Sequence, residues 1–165
     1  MSMKSDIENF LRTDLGITQL NFDFDGFLVY PQAYSVDVAG LVASGRIGVR
    51  VTAAVDSKAG AHYFFDYNEI WVPPSFSFKN DNDLAILVHE ATHAHMDYKK
   101  VGVVRRDWAE AIGYLAEAYW RRCWSLPPVS SDPVRVEAMR VASGLHAGTY
   151  KVPADNPFIG FTSWH

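Results

Sequence analysis

A single cysteine, Cys123, is all the thiol chemistry in this chain of 165 residues. No intrachain disulfide can staple it, so stability must come from a packed core. No apolar run approaches the roughly 18 residues that a membrane span requires. Basic charge is not in excess: 15 Lys and Arg face 19 Asp and Glu, for a formal net charge of −4. With no long basic stripe either, the electrostatic footprint of a nucleic-acid binder is missing. Met1 to Arg12 lacks the basic-then-apolar pattern of a secretory signal, so a cytoplasmic location is expected, with signal-independent export left open. Repeats, low-complexity tracts and long linkers are missing too, and one domain over residues 1–165 is expected.

What is present is enough for a well-filled core: 48% hydrophobic residues, 14% of the chain aromatic. Residues 5–15 carry Ile7, Phe10, Leu11 and Leu15 at helical spacing, with Ser5 or Asp6 as the cap and Gly16 as the stop. From Gln19 to Val72, short runs rich in Phe, Val, Tyr and Ile are broken by Gly, Pro and Asp, which reads as an antiparallel sheet. Arg46–Val55 and His62–Val72 are its clearest strands, joined around Asp56 to Gly60. The second ends at Pro73-Pro74, which cannot donate to a ladder.

Helical signals follow. Asn80 to Asp83 is a run of capping residues directly before Leu84-Ala85-Ile86-Leu87-Val88, and the helix is expected to reach about Lys100, with Gly102 at its C′ position. A second helix covers Arg106 to Trp124, stopped by Pro127-Pro128. A third starts near Asp132-Pro133 and ends at Gly144. The tail beyond Tyr150 reads as irregular. Strands first and helices after them predict an α+β domain, its N-terminal antiparallel sheet packed on the helices.

The chemistry concentrates in Leu87-Val88-His89-Glu90-Ala91-Thr92-His93. Four residues apart on a helix, His89 and His93 differ by about 40° in direction and about 6 Å along the axis, close enough to share one tetrahedral metal. Glu90 lies about 100° round from His89, where it can take a proton from a water rather than bind the metal with them. Leu84, Leu87, Ala91 and Ala94 surround the motif on several faces, which makes the helix central to its domain. Two His and a Glu buried there need partners, and a metal satisfies all three. The plainer reading is a pair of core histidines bonded to backbone or carboxylates.

A catalytic zinc normally takes a third protein ligand. Met96 and Lys99 stand where the metzincin extension needs Gly and His, which excludes that subclass. On the next helix Glu110 and Glu117, seven apart, share one face, about 10 Å apart along it. Gly113 between them allows a close helix approach. In an antiparallel hairpin either Glu reaches the site. Glu110 also stands in a capping-box relation to Asp107, and Glu117 stands four before Arg121, so each has an ordinary structural reading.

The His89-Glu90-Ala91-Thr92-His93 segment, followed by Glu110-Ala111-Ile112-Gly113-Tyr114, resembles the gluzincin branch of the zincin metallopeptidases, especially its small bacterial members. Asn68 to Val72 with Pro73-Pro74-Ser75-Phe76 resembles the zincin edge strand, and the likeness spans roughly Tyr63 to Trp120. The resemblance implies a zincin-like fold and Zn2+ as cofactor. It also implies a zinc-dependent peptidase, with Glu110 as third ligand in preference to Glu117 and a peptide or protein as substrate. The sequence departs from that family at Tyr114, where better-studied members carry an acidic residue. With zinc in place, Glu90 would serve as general base and return the proton to the leaving amine. Candidates beside the developing charge are His146, Tyr150, Tyr98 and Tyr114. Asp97 can orient His93 from one turn on or be a surface residue. His95, about 200° from His93, reads as structural, and Cys123 as a small buried hydrophobe. A substrate could add as a strand along Glu69 to Val72. The competing expectations are a catalytically inactive zinc-binding or protein-interaction domain of the same fold, and a hydrolase of non-peptide amides. No nucleic-acid or membrane partner is expected, and the oligomeric state is left open.

Overall fold

Asn80 starts the helix on which the domain is built: its side chain accepts from the Asn82 amide (3.0 Å) ahead of α3, Asp81–Tyr98. Every residue from Asp83 to Met96 in α3 is buried, as its all-round apolar pattern requires. The computed structural model describes residues 2–56, 60–101 and 106–148; the expected roles of Gly102, Tyr150 and the C-terminal tail lie outside them. At its other end α3 is closed by Lys100, whose φ of 49° is left-handed. The Lys100 and Val101 amides bond to the Asp97 and Met96 carbonyls, a Schellman closure. The C′ position is therefore Lys100, two residues before the expected Gly102.

Helix α4, Arg106–Cys123, runs antiparallel to α3. Arg121 near its end ties to the start of α3, through the Asp81 carbonyl (3.3 Å) and Asn82 Oδ1 (3.0 Å), and to the Pro127 carbonyl. Helix α5, Pro133–His146, packs against α4. It begins at the expected Asp132 cap but continues through Gly144 to His146. Helix α1, Met3–Thr13, is capped by Ser2 rather than by Ser5 or Asp6 and buries Ile7, Phe10 and Leu11.

The N-terminal half departs from the expected all-antiparallel sheet. Strands β1 (Phe22–Phe24) and β2 (Phe27–Val29) form a small antiparallel pair. Residues Ala33–Val38 then form a π-helical turn that continues into α2, Ala39–Ser44. This segment buries Tyr34, Val38, Leu41 and Val42, and the Tyr34 hydroxyl sits 2.8 Å from that of Thr92 on α3. Burial against α3 overrides the strand preference of its aromatic and β-branched residues.

The second sheet holds β3 (Gly48–Val51), β4 (His62–Phe64) and β5 (Glu69–Val72) in the order β3-β5-β4. The expected hairpin between Arg46–Val55 and His62–Val72 is absent among the described residues. A 3-10 turn, Phe65–Tyr67, splits the latter into β4 and β5, which pair antiparallel, while β3 joins β5 in parallel. The sheet is thus mixed, and the class is α+β with helices predominating. Tyr63, Ile70 and Val72 are buried, while His62, Phe64 and Trp71 form an aromatic cluster on the opposite face. Among the described residues no helix is long and apolar enough to cross a membrane.

Candidate metal centre

Capped at Asn80, α3 carries His89 and His93 to the side that faces α4. Gly113 makes the close approach possible: a Cβ there would fall 2.7 Å from His89 Nε2. Glu110, one turn before Gly113, points both carboxylate oxygens at the imidazoles. The Nε2 atoms of His89 and His93 are 3.0 Å apart; Glu110 Oε2 is 3.4 Å from the first and Oε1 3.6 Å from the second. Ligands held about 2.0–2.1 Å from a tetrahedral zinc ion stand about 3.3 Å from one another. The two imidazole nitrogens lie near that spacing and each has a different Glu110 oxygen beside it; with one ligand atom taken from each residue, the three lie within 4.8 Å of one another, and they are the group of described residues able to hold a metal ion.

The donor set also carries the electrostatics of a cation site. Burial by itself would lower the His89 pKa, but Glu110, Glu117 and Glu90 outweigh it and push it up to about 10. His93 is held down to about 3 by burial and by charged His89. Burial works to raise Glu110, yet His89 and His93 bring it down to about 2. The Glu110 carboxylate thus faces one protonated imidazole and one neutral one, with Glu90 and Glu117 beside them, a donor set that a divalent cation could share. Buried side-chain atoms without a hydrogen bond cluster here as well: His89 Nδ1, His93 Nδ1 and Glu117 Oε2. Such orphans are rare in folded proteins and call for an explanation; the fourth among the described residues, His95 Nε2, lies outside this cluster.

Glu90 is buried in the same cleft, its Oε2 accepting from the Tyr63 amide of β4 (2.8 Å). Burial drives its pKa up to about 7, against the lowering effect of His89 and of that amide. The cleft, of about 1100 Å³, has β4 and the following turn on one wall and α4 with α5 on the other. Phe64 and Phe65 line the first, Tyr114 and Arg135 the second.

The two glutamates are thereby distinguished. Glu110 meets both Nε2 atoms. It does not close a capping box, since Asp107 lies inside the first turn of α4 and accepts from the adjacent Trp108 amide. Glu117 lies behind His89, 3.7 Å from Nδ1, on the side away from the three donors. It pairs with Arg135 (3.0 Å) rather than with Arg121. Asp97, expected either to orient His93 or to lie on the surface, does neither: its Oδ2 accepts from the Tyr63 hydroxyl (2.7 Å), and His93 Nδ1 has no bonded partner. Asp97 therefore anchors β4 to α3.

Of the residues expected beside the developing charge, Tyr114 lines the cleft, its ring edge-on to His89 with centroids 4.6 Å apart. His146 does not; it packs on the Tyr119 ring at the end of α5. Tyr98 lies on the surface under Lys99. His95 is structural as expected, buried beside Phe27 and Tyr30 with Asp37 Oδ2 3.3 Å away. Cys123 is only partly buried, and burial still raises its thiol to about 11, so it is no nucleophile at neutral pH. The expected docking edge is also moved. Strand β5 is central and paired on both sides, so an added strand cannot bond to Glu69–Val72; β4 is the edge beside the cleft. Two cleft residues, His62 and Arg135, were not singled out from sequence. No periodicity links either to the motif, because each arrives from a separate element.

No protein-family model, no curated protein and no solved structure matches the chain.

Proposed function

We propose that this protein is a zinc-dependent metallopeptidase of zincin type, with His89, His93 and Glu110 as its metal ligands and Glu90 as general base. One observation carries the reading: two imidazole Nε2 atoms 3.0 Å apart and the Glu110 carboxylate, brought by two helices, converge in a cleft that also holds the Glu90 carboxylate. When bound, zinc would polarise a substrate carbonyl and acidify water. His89 and His93 would hold it through Nε2, and Glu110 would add a compensating negative charge from the neighbouring helix. Glu90, fixed by the Tyr63 amide, is placed to accept a proton and return it to a leaving amine. His62, Tyr114 and Arg135 are cleft groups able to donate toward an oxyanion. The cleft is lined by Phe64 and Phe65 on one side and Arg135 on the other, which suits a peptide with apolar side chains.

The test is metal analysis of the purified full chain together with a peptide-library assay, on the wild type, Glu90→Gln and Glu110→Ala. Near-stoichiometric zinc is expected in wild type and Glu90→Gln, with cleavage at least about 100-fold slower in the latter, and loss of stoichiometric zinc in Glu110→Ala. A wild type that binds no zinc overturns the proposal. Zinc retention without cleavage of any peptide identifies a binding domain instead.

A further inference from the structure

Building on the zinc-site reading above, we infer that Arg135 and Glu117 act as a positioning pair that sets which nitrogen of His89 is free to bind metal, making α5 part of the metal centre. Glu117 is only 2% exposed. Its two oxygens have different neighbours: Oε1 accepts from Arg135 Nε at 3.0 Å, while Oε2 lies 3.7 Å from His89 Nδ1. These last two atoms are both buried and both without a hydrogen-bond partner, so the acceptor that Nδ1–H needs and the donor that Oε2 needs face each other. Arg135 is itself fixed, its guanidinium 4.9 Å over the Tyr114 ring, and that ring is edge-on to His89. A carboxylate on Nδ1 keeps the proton there and leaves the Nε2 lone pair directed at His93 and Glu110. Glu117 does this from seven residues beyond Glu110, with Tyr114 on the intervening turn serving as the surface that holds Arg135.

The fixed direction of the Arg135 N–H gives the inference a distinctive consequence. In Glu117→Gln the amide oxygen must face Arg135, because Nε can only donate. The amide NH2 is then turned toward His89 Nδ1, which favours the tautomer protonated on Nε2, the one that cannot bind metal. Removing the guanidinium frees the amide to rotate and offer its oxygen to Nδ1. Zinc affinity of the full chain, measured by competition with a chromophoric chelator, is therefore expected to fall about 10- to 100-fold in Glu117→Gln. It should recover by about tenfold in the double variant Glu117→Gln with Arg135→Met. Arg135→Met alone should weaken zinc by less than Glu117→Gln does. Cobalt spectra of all three should keep the tetrahedral signature, since no ligand is removed. A pair with only a structural role would make the double variant equal to or weaker than Glu117→Gln, and that result overturns the inference. So does wild-type affinity in Glu117→Gln. If Glu117→Gln does not fold, Arg135→Met still decides: unchanged zinc affinity refutes the positioning role. Failure of the wild type to bind zinc would instead bring down the metallopeptidase proposal itself.

Discussion

Replacing Gly113 with alanine sets two calculable effects against each other. Position 113 is in the interior of α4, where alanine is favoured over glycine by about 0.8–1.0 kcal/mol. On propensity alone, the melting temperature of a domain of this size should rise by about 2–4 °C. The added methyl, however, would sit 2.7 to 2.9 Å from three atoms of the His89 ring, whereas ordinary contact begins at 3.4 Å. The α4 backbone cannot retreat without breaking the Glu110 contacts and the Arg121 ties, so the ring has to yield by several tenths of an ångström. That movement opens the 3.0 Å and 3.4 Å spacings from His89 Nε2 to His93 and Glu110. Misplacing a ligand through its surroundings typically costs 10- to 100-fold in metal affinity. Overpacking of this kind costs about 1–3 kcal/mol, so Gly113→Ala should leave the metal-free protein level or less stable while zinc affinity falls by that factor. Calorimetry of the chelator-treated protein and zinc competition measure the two separately. Wild-type zinc affinity in Gly113→Ala would refute the claim that Gly113 exists to let His89 in.

The metal-free protein should also show a pH signature. His89 is raised from 6.5 to about 10, so its contribution to stability is complete below pH 6.5 and is lost as pH rises through 10. Melting temperature after chelation should fall across that window, and Glu110→Gln should flatten the slope; equal slopes in the two proteins would rule out the imidazolium–carboxylate pairing. At the end of α3, Lys100 occupies a left-handed conformation that costs a non-glycine residue about 1 kcal/mol. Lys100→Gly is expected to stabilise the protein by about 0.5–1 kcal/mol, read as a shift in denaturant midpoint; a destabilised variant would mean that the lysine side chain contributes more than its backbone strain removes.

The order of elements was largely legible. Caps at Asn80 and Asp132, the apolar wrap around His89 and His93, and the prolines after Val72 are local signals, and α3, α4, α5 and the end of β5 fall close to where those signals put them. The N-terminal half was not. Residues 33–44 carry strand-like side chains yet form helix, because Tyr34 and Val38 gain more from burial against α3 than from pairing. The parallel match of β3 with β5 is likewise invisible to a reading of adjacent segments, since parallel partners need not be neighbours in sequence.

For the site, the chain alone determined that two imidazoles one helical turn apart share a face with a carboxylate beside them, because backbone periodicity fixes that relation wherever the helix lies. It also offered Glu110 and Glu117, which share one face of the next helix, as candidate third donors, and the gluzincin resemblance favoured Glu110. Tertiary packing places those two differently: the offset of α4 along α3, set by the Gly113 contact and the Arg121 ties, brings Glu110 onto the Nε2 atoms and leaves Glu117 behind the ring. Packing likewise gave Asp97 to Tyr63 and brought His62 and Arg135 to the cleft. Relations within one element follow from repeat geometry, whereas relations between elements depend on how closely and in what register their surfaces meet.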